Sequence, residues 1–255
     1  MNNSTLDVIN AHRSIRFINR IPCPMRMVEL LSLPANGLHF FQYAAALTTA
    51  IAVKDPAKRT RISELCGDQE QIRQAPIFIA WCADRHRLDL ACAQQGYTQN
   101  TDYLETFSSP PWMSGSLCRR RPLPPNPWAW ACYIGAIRNH PRQIIELLGL
   151  PSHVFPISGM VLGWPDADPI LRPRLGLNAV LHWERYDTEK LGPELQRYDR
   201  AMAETGIYGG RQVQTAAGQT AMENYGWLEH SARRVATAGR QELRPVVEDQ
   251  GWALQ

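Results

Sequence analysis

The sequence predicts a domain of mixed secondary structure, α+β or α/β, and three observations carry that expectation. Two runs, Ile77–Cys82 (IFIAWC) and Val154–Trp164 (VFPISGMVLGW), are almost wholly apolar and fit buried strands. Several longer stretches carry helix start and stop residues around amphipathic spacing. A length of 255 residues with 44% hydrophobic content is enough to bury one large core or two small ones.

In chain order, Ser4 and Asp7 make a capping-box-like start to a short helix that runs into the basic cluster His12-Arg13-Ser14-Ile15-Arg16. Met27–Leu31 reads as an ordinary helix. Residues 54–66 (KDPAKRTRISELC) form a helix begun near Pro56, where a missing N–H is tolerated, and ended by Gly67. The first apolar run follows, closed by Asp84-Arg85. Pro141–Leu148 is the best-formed helix, with Asn139 expected as its cap and Gly149 as its stop. After the second apolar run come two amphipathic stretches, Lys190–Glu204 and Trp227–Gln250, each expected to be helical. No internal repeat is visible.

Composition narrows the function classes. Lys plus Arg number 27 against 24 Asp plus Glu, and a net charge of +3 is too slight for the broad basic footprint of a nucleic-acid binder. The opening residues lack the basic and apolar regions of a secretion signal, and mean hydropathy is −0.33, so a cytoplasmic protein is expected. The weakly polar run Leu38–Val53 carries His39 and Gln42 and falls short of the roughly 20 residues that a membrane span needs. Six cysteines (Cys23, Cys66, Cys82, Cys92, Cys118, Cys132) form no CxxC or CxxH pattern, so reduced, mostly buried thiols are expected rather than disulfides or a metal site. Six of the seven histidines have no usable ligand spacing either.

An ordered series of short motifs goes further. It begins with His12-Arg13-Ser14-Ile15-Arg16-Phe17, then Gly67-Asp68-Gln69 with Gln74-Ala75-Pro76, then Tyr133-Ile134-Gly135-Ala136-Ile137-Arg138-Asn139. It continues through Leu150-Pro151, Val154-Phe155-Pro156, Leu162-Gly163-Trp164-Pro165 and Arg172-Pro173-Arg174-Leu175. Alone, His12–Arg16 would be a solvated helix end, and Arg172-Pro173-Arg174 a polar loop. In this order and spacing the chain resembles the nitroreductase family, in its NADPH-dependent flavin reductase and oxygen-insensitive nitroreductase branch.

The resemblance implies an α+β nitroreductase-like fold over residues 1–255, with a central, mainly antiparallel sheet flanked by helices, in a homodimer with flavin at the subunit interface. It implies FMN as cofactor. Its phosphate falls to Arg13, Ser14, Arg16, Arg172 and Arg174, since a dianion favours guanidinium forks and hydroxyl donors, and His12 of the same motif is a further cofactor-binding position. Its ribityl and ring groups fall to Gln69, Tyr133, Ile134, Gly135 and Ala136, which offer neutral donors and close backbone approach. Arg138, Arg211 and Arg233 are the positions matching the family's NADPH-binding arginines, although Arg233-Arg234 taken alone is a basic helix face offset by Glu229 and Glu242. The implied chemistry is ping-pong: NADPH delivers hydride to flavin N5, leaves, and a nitroaromatic, quinone or free flavin is reduced in the same cavity. No protein nucleophile or general acid is required. Other readings are a flavin-destructase or dehalogenase-like relative, a non-catalytic flavin or nucleotide binder, and the inactive product of a damaged gene.

Two windows, about residues 31–50 and 107–131, depart from the family pattern. The second holds six of the 19 prolines (Pro110, Pro111, Pro122, Pro124, Pro125, Pro127), where the family has an Ala-rich helix ending Glu-Ser-Leu-Gly-x-Gly. Reverse translation suggests a cause. A frame starting at the third base of each Trp codon in Trp128-Ala129 and Trp130-Ala131 reads GGC, glycine, both times. With suitable third bases, residues 124–131 become Ala-Glu-Ser-Leu-Gly-Met-Gly. A shift over residues 35–44 permits Gln-Thr-Gly-Ser-Thr-Ser-Ser-Asn-Met-Gln, a family-like flavin loop. Compensating insertions and deletions in the gene, from sequencing error or decay, are therefore expected. Each helix-interior proline costs about 3 kcal/mol, against a total stability of roughly 5–15 kcal/mol, so the chain as written is expected to fold weakly and retain flavin poorly. A yellow, soluble expression product contradicts that expectation.

Overall fold

The computed structural model describes residues 18–22, 26, 28, 47–108, 130–166, 171–215, 218 and 222–255. The N-terminal helix, the basic cluster, most of Met27–Leu31 and most of the two anomalous windows (residues 31–46 and 109–129) lie outside the described residues. The chain divides into two compact units. A sheet unit comprises Ser14–Pro169 with Arg240–Gln255, and a helical unit comprises Ile170–Gly239 with Met1–Arg13.

Among the described residues, four antiparallel strands form the sheet of this unit: β1 (Thr48–Val53), β2 (Ile77–Asp84), β3 (Trp130–Ile134) and β4 (Val154–Gly163), in the order β1-β2-β4-β3. Every residue of β2 and β4 is buried, which explains why these segments are apolar throughout rather than alternating. Successive side chains point to opposite faces. Phe78, Ala80 and Cys82 join one core with Ile62, Leu65, Ile72 and Ile144, whereas Ile77, Ile79 and Trp81 join another with Met160 and Leu162.

The helices on the first face are α1 (Pro56–Leu65), α2 (Glu70–Gln74) and α4 (Pro141–Leu148). Asp55 caps α1 by accepting from the Lys58 N–H at 2.7 Å, and Pro56 occupies the first turn as expected. Helix α4 has its expected bounds and ends on Gly149 with φ 62°. Its expected cap is different. His140 occupies that position and makes no capping bond, and the Asn139 side-chain Oδ1 accepts from Arg240 Nε at 3.0 Å rather than from the helix. Helix α3 (His86–Gln95) follows β2 and ends on Gly96.

Two glycines of β4 are required by close packing. A Cβ at Gly159 would lie 2.6 Å from the Phe78 ring, and one at Gly163 would strike Ile18. The β2–β4 ladder also slips by one residue. Trp81 faces Ser158 while Cys82 faces Pro156, leaving Ile157 as the extra residue of a bulge. Pro156, which cannot donate to a ladder, is accommodated there.

The expected helix Trp227–Gln250 is two helices in two units: α6 (Trp227–Ala236) in the helical unit and α7 (Leu243–Asp249) in the sheet unit. Arg240, between them, has φ 57°, which no continuing right-handed helix allows. Val246 and Val247 of α7 pack with Phe155 and Trp252, and Phe107 stands edge-on to both rings at 5.7 and 5.3 Å.

In the helical unit, α5 (Leu191–Glu204) meets α6 through a Tyr198–Trp227 ring contact at 5.3 Å. Asp199 of α5 accepts from the Leu228 N–H at 2.7 Å and so supplies the first turn of α6 with an acceptor from another helix. Among the described residues no helix is long and apolar enough to cross a membrane, and no His/Cys/Asp/Glu group has metal-site geometry. Cys66 and Cys82 are free and buried, and burial pushes both thiols up to about 12.

Candidate flavin and nucleotide site

In the sheet unit, two of the sequence motifs converge beside the end of β3. Helix α1 stops in two consecutive left-handed residues, Gly67 (φ 80°) and Asp68 (φ 58°), which turn the chain so that Gln69 begins α2. The Gln69 amide is fixed in place: its Nε2 donates to the Cys66 carbonyl at 2.8 Å and its Oε1 accepts from Gln71 at 2.6 Å. Ser63 donates to the Gln69 carbonyl at 2.7 Å. A Cβ on Gly67 would lie 4.0 Å from the Asn139 amide, so this loop adjoins the segment that follows β3.

That segment starts with Tyr133, 51% exposed, and Ile134, which is buried. The chain then tightens into a 3-10 turn, Gly135–Arg138, anchored by the buried Ile137. Such a turn leaves the N–H groups of its first residues, here Gly135 and Ala136, without acceptors inside the turn. Arg138 lies back across it, its Nη2 3.5 Å from where a Gly135 Cβ would be. Nη1 donates to the Ile157 carbonyl at 2.6 Å. The β4 bulge thus fixes Arg138, and the sequence signal for it was Pro156 within an otherwise regular strand.

The remaining described arginines of the prediction lie in the helical unit. Arg172 and Arg174 are exposed in the loop before a 3-10 turn, Leu177–Ala179. Arg172 is near enough to Tyr208 for its charge to oppose the rise that burial imposes on that phenol's pKa. Arg211 is exposed at the end of a tight turn, its N–H donating to the Tyr208 carbonyl at 3.0 Å. Arg233 is only 8% exposed and is engaged within its own unit. Its Nε bonds Glu229 at 2.6 Å, its Nη1 the Val213 carbonyl at 2.8 Å, and its guanidinium lies 5.1 Å over the Tyr225 ring. His12, Arg13, Ser14 and Arg16 lie outside the described residues.

Sequence reasoning missed the groups around Arg233. The Tyr225 hydroxyl sits 3.1 Å from His230 Nδ1 and accepts from the Val213 N–H at 3.0 Å, and the Tyr208 ring is tilted against His230 at 4.7 Å. Burial, helped by the nearby Arg234 charge, holds the His230 pKa below its ordinary value. Aromatic residues flanking a Gly-rich turn were the available signal.

Comparison with known proteins supplies the family. Residues 172–255 match the model of the nitroreductase family C-terminal domain. The oxygen-insensitive NADPH nitroreductase of Salmonella typhimurium is 30% identical over 255 residues, covering 98% of this chain and 99% of that protein. The chain belongs to the nitroreductase family. The Bacillus subtilis FMN reductase [NAD(P)H] is 29% identical over 261 residues, covering 99% of each. Among solved structures, the NADPH:FMN oxidoreductase from Vibrio harveyi complexed with NAD+ superposes with a TM-score of 0.81 at 26% identity, covering 99% of this chain and 100% of that one. The fold is the α+β nitroreductase fold, and its sheet is antiparallel throughout the described strands.

Proposed function

We propose that this nitroreductase-family chain is an FMN-dependent NADPH oxidoreductase that reduces nitroaromatics, quinones or flavins by a two-electron, ping-pong mechanism. The observation that carries the reading is end-to-end likeness to relatives named for NADPH, FMN and nitro-group reduction. The donor set fits a flavin: a fixed Gln69 amide, a turn that presents the N–H groups of Gly135 and Ala136, and the Arg138 cation beside them.

When bound, FMN would supply the redox chemistry, a two-electron transfer from NADPH to the acceptor. The protein's part is positional and electrostatic. Gln69, Tyr133, Ile134, Gly135 and Ala136 hold the ribityl and ring groups, with Arg138 adding positive charge at their edge. Arg13, Ser14, Arg16, Arg172 and Arg174 would hold the phosphate, with His12 a further cofactor contact in the same motif. Arg211 takes the 2′-phosphate of NADPH, a group that favours a guanidinium fork, and Arg233 serves the same nucleotide. A homodimer in the cytoplasm is the proposed working form. Exposure of Leu177, Val180, Leu181, Trp183 and Tyr186 in one stretch of the helical unit supports a protein partner there.

Residues 1–255 are read as one functional nitroreductase domain in which the windows near 31–50 and 107–131 are out of frame. The coding DNA tests that directly, since unsuitable third bases over residues 35–44 remove the case. Steady-state kinetics test the activity: with NADPH and a quinone varied together, parallel double-reciprocal lines are expected, and intersecting lines count against ping-pong transfer.

A further inference from the structure

We propose that Arg233 is a positioning residue: together with Tyr225 it clamps the backbone beside Arg211 and so presents the Arg211 guanidinium to the 2′-phosphate of the nucleotide. The proposal rests on the nucleotide reading of Arg211 given above and goes beyond it by assigning the two arginines different tasks.

The geometry separates them. Arg211 is exposed, and among the described residues its side chain has no hydrogen-bond or ion-pair partner. Its backbone is held on both sides. Before it, successive turns link Gly209 to Gly206 and Arg211 to Tyr208, with Gly206 and Gly210 in the left-handed region. The Tyr208 ring anchors these turns against Tyr225 at 5.8 Å and His230 at 4.7 Å.

After it, the Gln212 side chain makes a reciprocal pair with Met222, donating to its carbonyl at 3.0 Å and accepting from its N–H at 2.9 Å. Val213 is then gripped at both polar groups, its N–H by the Tyr225 hydroxyl at 3.0 Å and its carbonyl by Arg233 Nη1 at 2.8 Å. The Arg233 Nη2 also reaches Met222 Sδ at 3.6 Å. The ties on Val213 and Met222 therefore converge on Arg233 and Tyr225. Charge-assisted bonds to a nearly buried guanidinium are the strong kind, and Glu229 fixes the guanidinium in turn. An exposed arginine on a fixed backbone loses less conformational freedom on binding than one on a loose loop, so the clamp raises affinity without touching the ligand.

The test uses the full chain and compares dissociation constants for NADP+ and NAD+, by tryptophan fluorescence, alongside KM and kcat with NADPH. Arg211→Ala is expected to lower the preference for NADP+ about tenfold, the scale of a lost charge-assisted pair. Arg233→Met is expected to cause a similar loss, falling on KM rather than kcat, with partial rescue in Arg233→Lys. Tyr225→Phe, which keeps the ring, is expected to move the preference the same way by a smaller factor. The double variant Arg211→Ala/Arg233→Met is expected to be no worse than Arg211→Ala, because Arg233 acts through Arg211. Additive losses in the double variant overturn the positioning role, as does an unchanged preference in both Arg233→Met and Tyr225→Phe. An unchanged preference in Arg211→Ala overturns the proposal at its base, and is told apart because it appears without any substitution in the clamp.

Discussion

The two units of this chain are held together by different forces. The sheet unit buries two strands completely and packs Phe155, Trp252 and Phe107, edge to face, beside α7. In the helical unit the buried residues include Glu194 and Arg233 alongside Met202 and Tyr225, and its contacts are carboxylate caps, guanidinium bonds and ring edges. Apolar burial is non-directional and insensitive to pH, whereas polar ties are directional and titrate. A rigid sheet suits the turn proposed to face the flavin; a polar framework suits the surface proposed to admit and release a charged nucleotide.

Substitutions that separate these forces sharpen the contrast. Phe155→Ala removes a fully buried ring from the sheet unit and is expected to cost about 3–5 kcal/mol in urea denaturation. Gly159→Val drives a side chain into the Phe78 ring and is expected to cost about 1–3 kcal/mol by the same measurement. In the helical unit, Tyr225→Phe keeps the ring contacts but leaves the Val213 N–H without its acceptor. A loss of about 0.5–1.5 kcal/mol is expected, read most locally as faster hydrogen exchange at that amide. A Tyr225→Phe penalty as large as that of Phe155→Ala would break the contrast.

The smallest expected effect is on acidification. His230 is held below its ordinary value of 6.5, so the unfolded chain takes up a proton first. The stability from neutral His230 is complete above about 6.5 and is lost as pH falls toward its lowered folded-state value. Limited proteolysis of the helical unit is expected to quicken between pH 7 and 5, and less so in His230→Asn. Equal acceleration in both would remove His230 as the cause.

What was legible in the sequence follows the same division. Strands β2 and β4 and helices α1 and α4 were readable because their signals are local: a continuous apolar run, Pro56 at a first turn, Gly149 at a last one. Asn139 was misread as a cap because its partner, Arg240, is 101 residues away. The break between α6 and α7 was hidden because an amphipathic pattern spans it while Arg240 turns left-handed. Of the site, Gln69 and the Tyr133–Arg138 segment stood out only as members of an ordered motif series. The bond from Arg138 to Ile157 and the clamp on Val213 join residues with no periodic relation, so no pattern in the sequence announced them.

Electron transfer from NADPH to an acceptor by way of FMN is the proposed activity on which the site assignments depend. Anaerobic mixing of the FMN-reconstituted protein with NADPH, followed at the visible flavin band, tests it most directly. The band is expected to bleach with no acceptor present and to return when a quinone or nitroaromatic is added. A protein-bound flavin whose band NADPH leaves unchanged would contradict it.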